Sequence, residues 1–169
     1  RLALANGCVS AKVALGLLYM SGYQFPKDET RAYALFKEAA DQGERKGYYQ
    51  LAIMHSNGSG CPKDLKLSFE LFKKAADMGE AIGMTNLGLV YENGLGVPRD
   101  YAKARDWYEK AATKGEPNAL ERLERLPISE AAAAGRYAEA LQLQEALAVR
   151  AEAVETEREG KPGQETAQS

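Results

Sequence analysis

The chain has 169 residues, enough for one ordinary domain with a sizeable buried core. Its 22 lysines and arginines nearly balance its 24 aspartates and glutamates, for a formal net charge of -2, so no electrostatic field favours nucleic acid as a partner. No apolar run approaches the roughly 18 residues of a membrane-spanning helix, which argues against membrane insertion.

Leu2 to Gly7 reads as the tail of a preceding repeat, and the start at Arg1 without a methionine points to a segment of a longer protein. A first helix then carries apolar or small residues at Ala11, Leu15, Gly16 and Tyr19. Gly22 and Pro26 break it, Asp28 caps a second helix bearing Ala32, Phe36 and Ala39, and Gly43 ends that helix. The next stretch repeats the plan. Gly47, Tyr48, Leu51, Ala52 and His55 are spaced for one helix face, and the turn formers from Asn57 to Pro62 stop it. Asp64 is the expected N-cap of a helix with Ser68, Phe69, Leu71, Phe72, Ala75 and Ala76 on one face. Gly79 closes it with the positive φ common at helix C-termini. A third copy follows through Gly83, Leu87, Gly88, Tyr91, Gly94, Gly96, Pro98, Asp100, Ala104, Tyr108 and Ala111.

The spacing is fixed: Gly7, Gly43, Gly79 and Gly115 stand 36 residues apart, and each is expected to hinge one helical hairpin to the next. Small residues at Ala11, Gly47 and Gly83 are expected to let paired helices approach closely. Phe36, Phe72 and Tyr108 fill the space between hairpins. The fold class is therefore all-α, an α-solenoid of stacked antiparallel hairpins. A fourth first helix starts at Pro117 and Asn118, with Ala119 and Leu123 in phase, and is expected to stop at Leu126-Pro127. Ile128 to Ala134 then reads as a short helix, Gly135 as a turn, and Arg136 to about Glu157 as a long helix with Tyr137, Ala140, Leu141, Gln144 and Leu147 near one face. From Thr156 the composition is that of a frayed tail. The expected parts are a repeat array over 1–126, a helical hairpin over 127–157 and a tail over 158–169.

The run Leu87-Gly88-Leu89-Val90-Tyr91-Glu92-Asn93-Gly94-Leu95-Gly96-Val97-Pro98-Arg99-Asp100, followed by Ala111-Ala112 and Gly115, resembles the Sel-one-like repeat, a relative of the tetratricopeptide repeat. The likeness covers about residues 8 to 115 as three copies and implies a right-handed superhelix. His55 departs from it where the other copies have Tyr19 and Tyr91. Gln24 departs where they have Gly60 and Gly96, so the first loop is expected to run differently. Gly135-Arg136-Tyr137-Ala138-Glu139-Ala140-Leu141, continuing to Arg150, is similar to tetratricopeptide repeats of the kinesin-light-chain type. This hairpin either caps the array or starts another.

Little here points to chemistry. His55 is the only histidine, which excludes a multi-histidine metal site, and two cysteines cannot build a thiolate-rich one. Cys8 and Cys61 fall at different phases of the repeat, as expected of unpaired thiols in a reducing compartment. A cytoplasmic location follows, with a periplasmic one left open. His55 replaces a core tyrosine and reads as a packed, hydrogen-bonded residue. Cys61 follows by six residues, but no third residue is placed to orient the imidazole as a nucleophile's base. Gly58-Ser59-Gly60 and Gly94-Leu95-Gly96 follow helices rather than strands and read as turns, not phosphate cradles. Glu121 and Glu124 belong to a solvated face, and Tyr33, Phe36, Phe69, Phe72, Trp107 and Tyr108 to a core stripe. No cofactor is expected, and the chain reads as non-enzymatic.

The family resemblance implies that first helices line a concave side. There the second copy offers Lys46, Tyr49, Gln50, Ile53 and Asn57, and the third Ile82, Thr85, Asn86, Leu89 and Asn93. The first copy offers Ser10, Val13, Ala14, Leu17 and Ser21. One of Tyr48 and Tyr49 is expected to pack inward while the other reaches this surface. Gln50 and Asn86 would form an amide ladder able to bond a peptide backbone, so the expected partner is a protein or peptide. The leading reading is an interaction scaffold. A second makes the segment a regulatory or sensor arm of a larger enzyme or signalling protein. Neither reading fixes an oligomeric state.

Overall fold

A computed structural model describes residues 2–23 and 26–159, with side chains from Val9 to Thr156. They form eight α-helices and, among the described residues, no strand: α1 (Leu2–Ser21), α2 (Glu29–Asp41), α3 (Arg45–Asn57), α4 (Leu65–Asp77), α5 (Ala81–Asn93), α6 (Tyr101–Thr113), α7 (Pro117–Ala133) and α8 (Tyr137–Glu159). The chain divides into two compact units, Arg1–Leu120 and Glu121–Ser169. Gln24 and the Cys8 side chain, on which two expectations rested, lie outside the described residues. So does the tail from residue 160, and α8 persists to Glu159 before it.

In the first unit each helix packs mainly on its neighbour in sequence, from α1 to α6. The aspartates behave as expected. Asp28 accepts from the Arg31 amide, Asp64 from those of Lys66 and Leu67, and Asp100 from that of Lys103, each such cap contributing about 1 kcal/mol. The same aspartates close the hairpins through their own backbone. Their N–H groups donate to the carbonyls of Tyr19, His55 and Tyr91 at 3.0, 2.9 and 2.9 Å. Replacing tyrosine by histidine at position 55 therefore leaves the hairpin-closing bond in place.

The turns between hairpins bind the alanine pair, the glycine and the following residue into one motif. The Gly79 amide donates to Ala76 and the Glu80 amide to Ala75, at 2.9 and 3.0 Å, with Gly79 at φ 87°. Gly43 and Gly115 repeat this geometry, and so does Gly135 at the α7–α8 turn, although it is out of phase. Gly7 does not. It sits inside α1.

Two clusters make the core of this unit. One gathers Val9, Val13, Phe36, Ala39, Leu51 and Met54, and the other Phe72, Ala76, Met84, Leu87, Val90 and Ala111. Phe36 and Tyr108 are fully buried and Phe72 is 4% exposed, so the large position fills the core in each copy. The small position works as expected in two copies: a β-carbon on Gly47 would lie 2.6 Å from the Ala40 nitrogen, and one on Gly83 would lie 3.2 Å from the Ala75 β-carbon. Ala11 is exposed.

In the second unit the expected break at Leu126-Pro127 is absent. One helix runs through both residues, with Pro127 in its interior. Proline at this point removes a single hydrogen bond, to the Leu123 carbonyl, and the alanine-rich turn after it restores strong helix formers. Along α8 the buried side is narrower than expected. Ala140 is buried and Leu143 and Leu147 are half-buried, whereas Tyr137, Leu141 and Gln144 are exposed. The covered residues follow steps of three and four, so the seam runs through position 143 rather than 141.

Candidate binding surface

Three glutamates follow the turn glycines at the interval of the repeat: Glu44, Glu80 and Glu116. Glu44 caps α3, accepting from the Lys46 amide at 3.4 Å and from the Ser10 hydroxyl of α1 at 3.3 Å. Glu80 precedes α5 and is 8% exposed. Its Oε2 lies 3.0 Å from Arg45 Nε, but no aligned hydrogen bond reaches that oxygen, so the contact is a charge pair. Glu116, also buried, accepts from Asn118 Nδ2 at 2.9 Å. Sequence reasoning did not single out this row; the Gly-Glu recurrence was its signal.

Between these carboxylates stands Tyr49. It is half-buried, its ring tilted against Phe72 with centroids 6.1 Å apart. Burial pushes its phenol above the ordinary range, the Asn86 amide opposes this by hydrogen bonding, and the charges of Glu80 and Glu116 push it further up. Tyr49 therefore stays neutral and able to donate at physiological pH. Tyr48, also half-buried, lies under Lys74 Nζ at 4.3 Å from its ring centroid, against α4. Of the two tyrosines, Tyr49 is the one beside Asn86.

The other expected surface residues divide. Lys46, Asn57 and Asn93 are exposed, and Gln50, Ile53, Asn86 and Leu89 half-buried, with Ile53 resting on the second core cluster. Thr85 is a correction: it is 5% exposed, and its hydroxyl donates to the Ala81 carbonyl at 3.4 Å. Val13, at the same repeat position, is equally buried, because this position faces the packed side unless a ring as long as that of Tyr49 extends beyond it. Of the expected Gln50–Asn86 ladder, Asn86 is tied to its own helix. Asn86 Nδ2 donates to the Ile82 carbonyl at 2.9 Å, and Asn93 Nδ2 does likewise to Leu89 at 3.0 Å. Both amides keep their oxygens for another donor.

Beside this row a cleft of about 560 Å³ opens, lined by Ser10, Val13, Ala14, Leu17, Gly43, Glu44, Arg45, Lys46 and Met78. Four of these are first-copy residues expected on the inner side. Arg45 and Met78 were not anticipated; both lie outside the positions that repeat.

His55 proves to have the third residue that sequence reasoning found missing. Tyr33 Oη lies 3.3 Å from Nε2, and Nδ1 lies 3.3 Å from the Pro62 carbonyl and 3.5 Å from Cys61 Sγ. The carbonyl can only accept, so Nδ1 carries the proton and Nε2 accepts from Tyr33. An imidazole protonated toward the sulfur cannot take the thiol's proton, and burial pushes the Cys61 thiol up, away from thiolate. The cluster is a satisfied core contact. Among the described residues no group of three or more His, Cys, Asp or Glu side chains is placed to hold a metal ion. No described helix is long and apolar enough to cross a membrane.

Solved structures share this architecture. A Sel1 repeat protein from Oxalobacter formigenes is 29% identical, with a TM-score of 0.66 over 69% of this chain and 47% of that one. A protective antigen of uropathogenic Escherichia coli displaying an SLR fold is 36% identical, with a TM-score of 0.65 over 72% of this chain and 26% of that one. Cysteine-rich protein B of Helicobacter pylori, 21% identical with a TM-score of 0.57 over 71% of this chain and 92% of that one, shares the fold. The chain thus spans about half the length of the first of these and about a quarter of the second. No curated protein matches it. Proteins built from these repeats are generally protein-interaction scaffolds. The Sel1 repeat model matches residues 9–44, 45–80 and 81–116, the three hairpins whose turns and caps recur above, and the chain belongs to the Sel1 repeat family.

Proposed function

We propose that this chain is a non-catalytic interaction scaffold that holds a peptide or protein segment against α1, α3 and α5. Lys46, Gln50, Asn57, Leu89 and Asn93 are the proposed contacts, with the Tyr49 hydroxyl and Asn86 Oδ1 as a donor and acceptor pair and Ile53 as apolar floor. Thr85 supports them from beneath. The observation that carries this reading is the half-buried Tyr49–Asn86 pair: it retains hydrogen-bonding capacity on a surface that the fold otherwise packs closely. Exposed donors and acceptors on a rigid helical row suit a partner's backbone.

A random peptide library displayed against the protein tests this. Selected peptides should bind the parent and lose binding to a triple variant Tyr49→Phe, Gln50→Ala, Asn86→Ala. Phenylalanine is chosen because alanine would uncover Phe72. Circular dichroism should report the same helicity in both. Undiminished binding by the variant would overturn the assignment of the surface. A second reading, a regulatory or sensor arm of a larger enzyme or signalling protein, draws support from the partial coverage of the relatives' lengths. Sequencing the reading frame around this segment decides it: a further catalytic or signalling domain supports the arm, and its absence removes that reading.

A further inference from the structure

The cleft between α1 and α3 differs from the rest of the inner row in how its charges face. Its one lining carboxylate, Glu44, is half-buried and accepts from the Lys46 amide and the Ser10 hydroxyl, while Glu80, outside the lining, is buried against Arg45 Nε. The two lining cations are exposed. Arg45 is 51% exposed and meets Glu80 through Nε, and Lys46 is exposed with no ion pair among the described residues. The floor is aliphatic, with Val13 buried beneath and Leu17 and Met78 exposed by 44% and 40%. The cleft is shallow and open, with a volume of about 560 Å³.

We propose that this cleft takes a short acidic-aliphatic peptide segment. An Asp or Glu carboxylate sits against Lys46 and the free edge of Arg45, and an adjacent leucine-sized side chain covers Leu17 and Met78. A basic segment is disfavoured, since its charge would be set against Lys46 and Arg45. The inference rests on the scaffold reading and sharpens it by naming the partner's chemistry.

Amide NMR titration of the whole chain tests it with three peptides. The first is acetyl-Ser-Asp-Leu-Leu-Asp-Ser-amide, and the others replace both aspartates by asparagine or by lysine. The acidic peptide should shift the amides of Ala14, Leu17 and Lys46 and bind about two- to fivefold more tightly than its asparagine isostere. Lys46→Ala should erase most of that preference, and Leu17→Ala should weaken the acidic and asparagine peptides alike. Raising salt from about 50 to about 300 mM should weaken only the acidic peptide. Equal affinity for the acidic and asparagine peptides, preference for the lysine peptide, or shifts confined to α5 would each overturn the proposal. If library-selected neutral peptides still bound the Tyr49–Asn86 row, the scaffold reading would stand without it.

Discussion

Gly96→Ala should damage this protein far more than Gly115→Ala, although both glycines have positive φ, 76° and 78°. Forcing a non-glycine residue into the left-handed region costs about 1–2 kcal/mol at either site. At Gly115 that is the whole effect, because an added β-carbon meets nothing within 4 Å. At Gly96 the β-carbon would lie 2.5 Å from the Leu65 carbonyl oxygen, the first residue of the preceding copy's second helix. Reaching ordinary contact requires the loop and α4 to part by about 0.9 Å. Backbone cannot rotate away as a side chain would, so overpacking adds about 1–3 kcal/mol. The expectation is a loss of about 2–5 kcal/mol for Gly96→Ala against about 1–2 for Gly115→Ala. Gly60→Ala, facing the Glu29 carbonyl at the same 2.5 Å, should match the larger loss. Urea denaturation followed by far-ultraviolet circular dichroism measures all three. If Gly115→Ala proves as harmful as the other two, the loop glycines do not lock successive copies and the reasoning fails.

Two further outcomes follow from particular contacts. Asp100 is held below the ordinary carboxylate range by the Lys103 amide first and the Lys103 side chain second. A lowered folded pKa contributes stability above the unfolded value of about 3.9 and loses it as pH falls through the folded value. Asp100→Asn keeps a cap without the charge, so its urea midpoint should fall less between about pH 6 and about pH 3 than the parent's; identical falls would exclude this linkage. Pro127→Ala should return a donor to the Leu123 carbonyl inside α7 and stabilise the second unit by about 1–3 kcal/mol. Slower hydrogen exchange at residues 121–133 checks it, and unchanged or faster exchange would mean that the proline fits a bend the packing requires.

The sequence made the hairpins legible because three devices recur in phase: the capping aspartate, the alanine pair and the turn glycine. Each encodes a local backbone geometry that needs little tertiary context, and the structure places the Asp28, Asp64 and Asp100 caps as read. Reading failed where a local signal met a competing one. Gly7 has the phase of a turn yet lies inside α1, and Pro127 has the sequence of a stop inside a segment that otherwise favours helix. The surface was less legible than the fold. Period alone does not separate position 85, which is buried, from position 86, which is not, because they differ by 100° around a helix whose packed arc has no sharp edge. Tyr33 was taken only as core, since its contact with His55 joins residues of different copies.

The repeat also separates positions fixed by packing from positions that vary between copies. Positions that build the stack hardly vary between copies: Phe36, Phe72 and Tyr108, or Ala39, Ala75 and Ala111, all buried. One position on the inner row changes character at every step, from Ser10 to Lys46, Ile82 and Asn118, and its neighbour from Ala14 to Gln50 and Asn86. Packing dictates the first set, since a wrong volume in a continuous core destabilises adjoining copies. It does not dictate the second, whose side chains reach solvent or rest on the surface of the groove. A partner lying along the row would therefore meet a hydroxyl, an ammonium, an aliphatic chain and an amide in fixed order on a common scaffold. Exchanging Lys46 and Ile82 keeps the composition and the stack while reversing two steps of that order. Loss of a selected peptide in the exchanged protein, with helicity retained, would show that order is what the partner reads; undiminished binding would show that it is not.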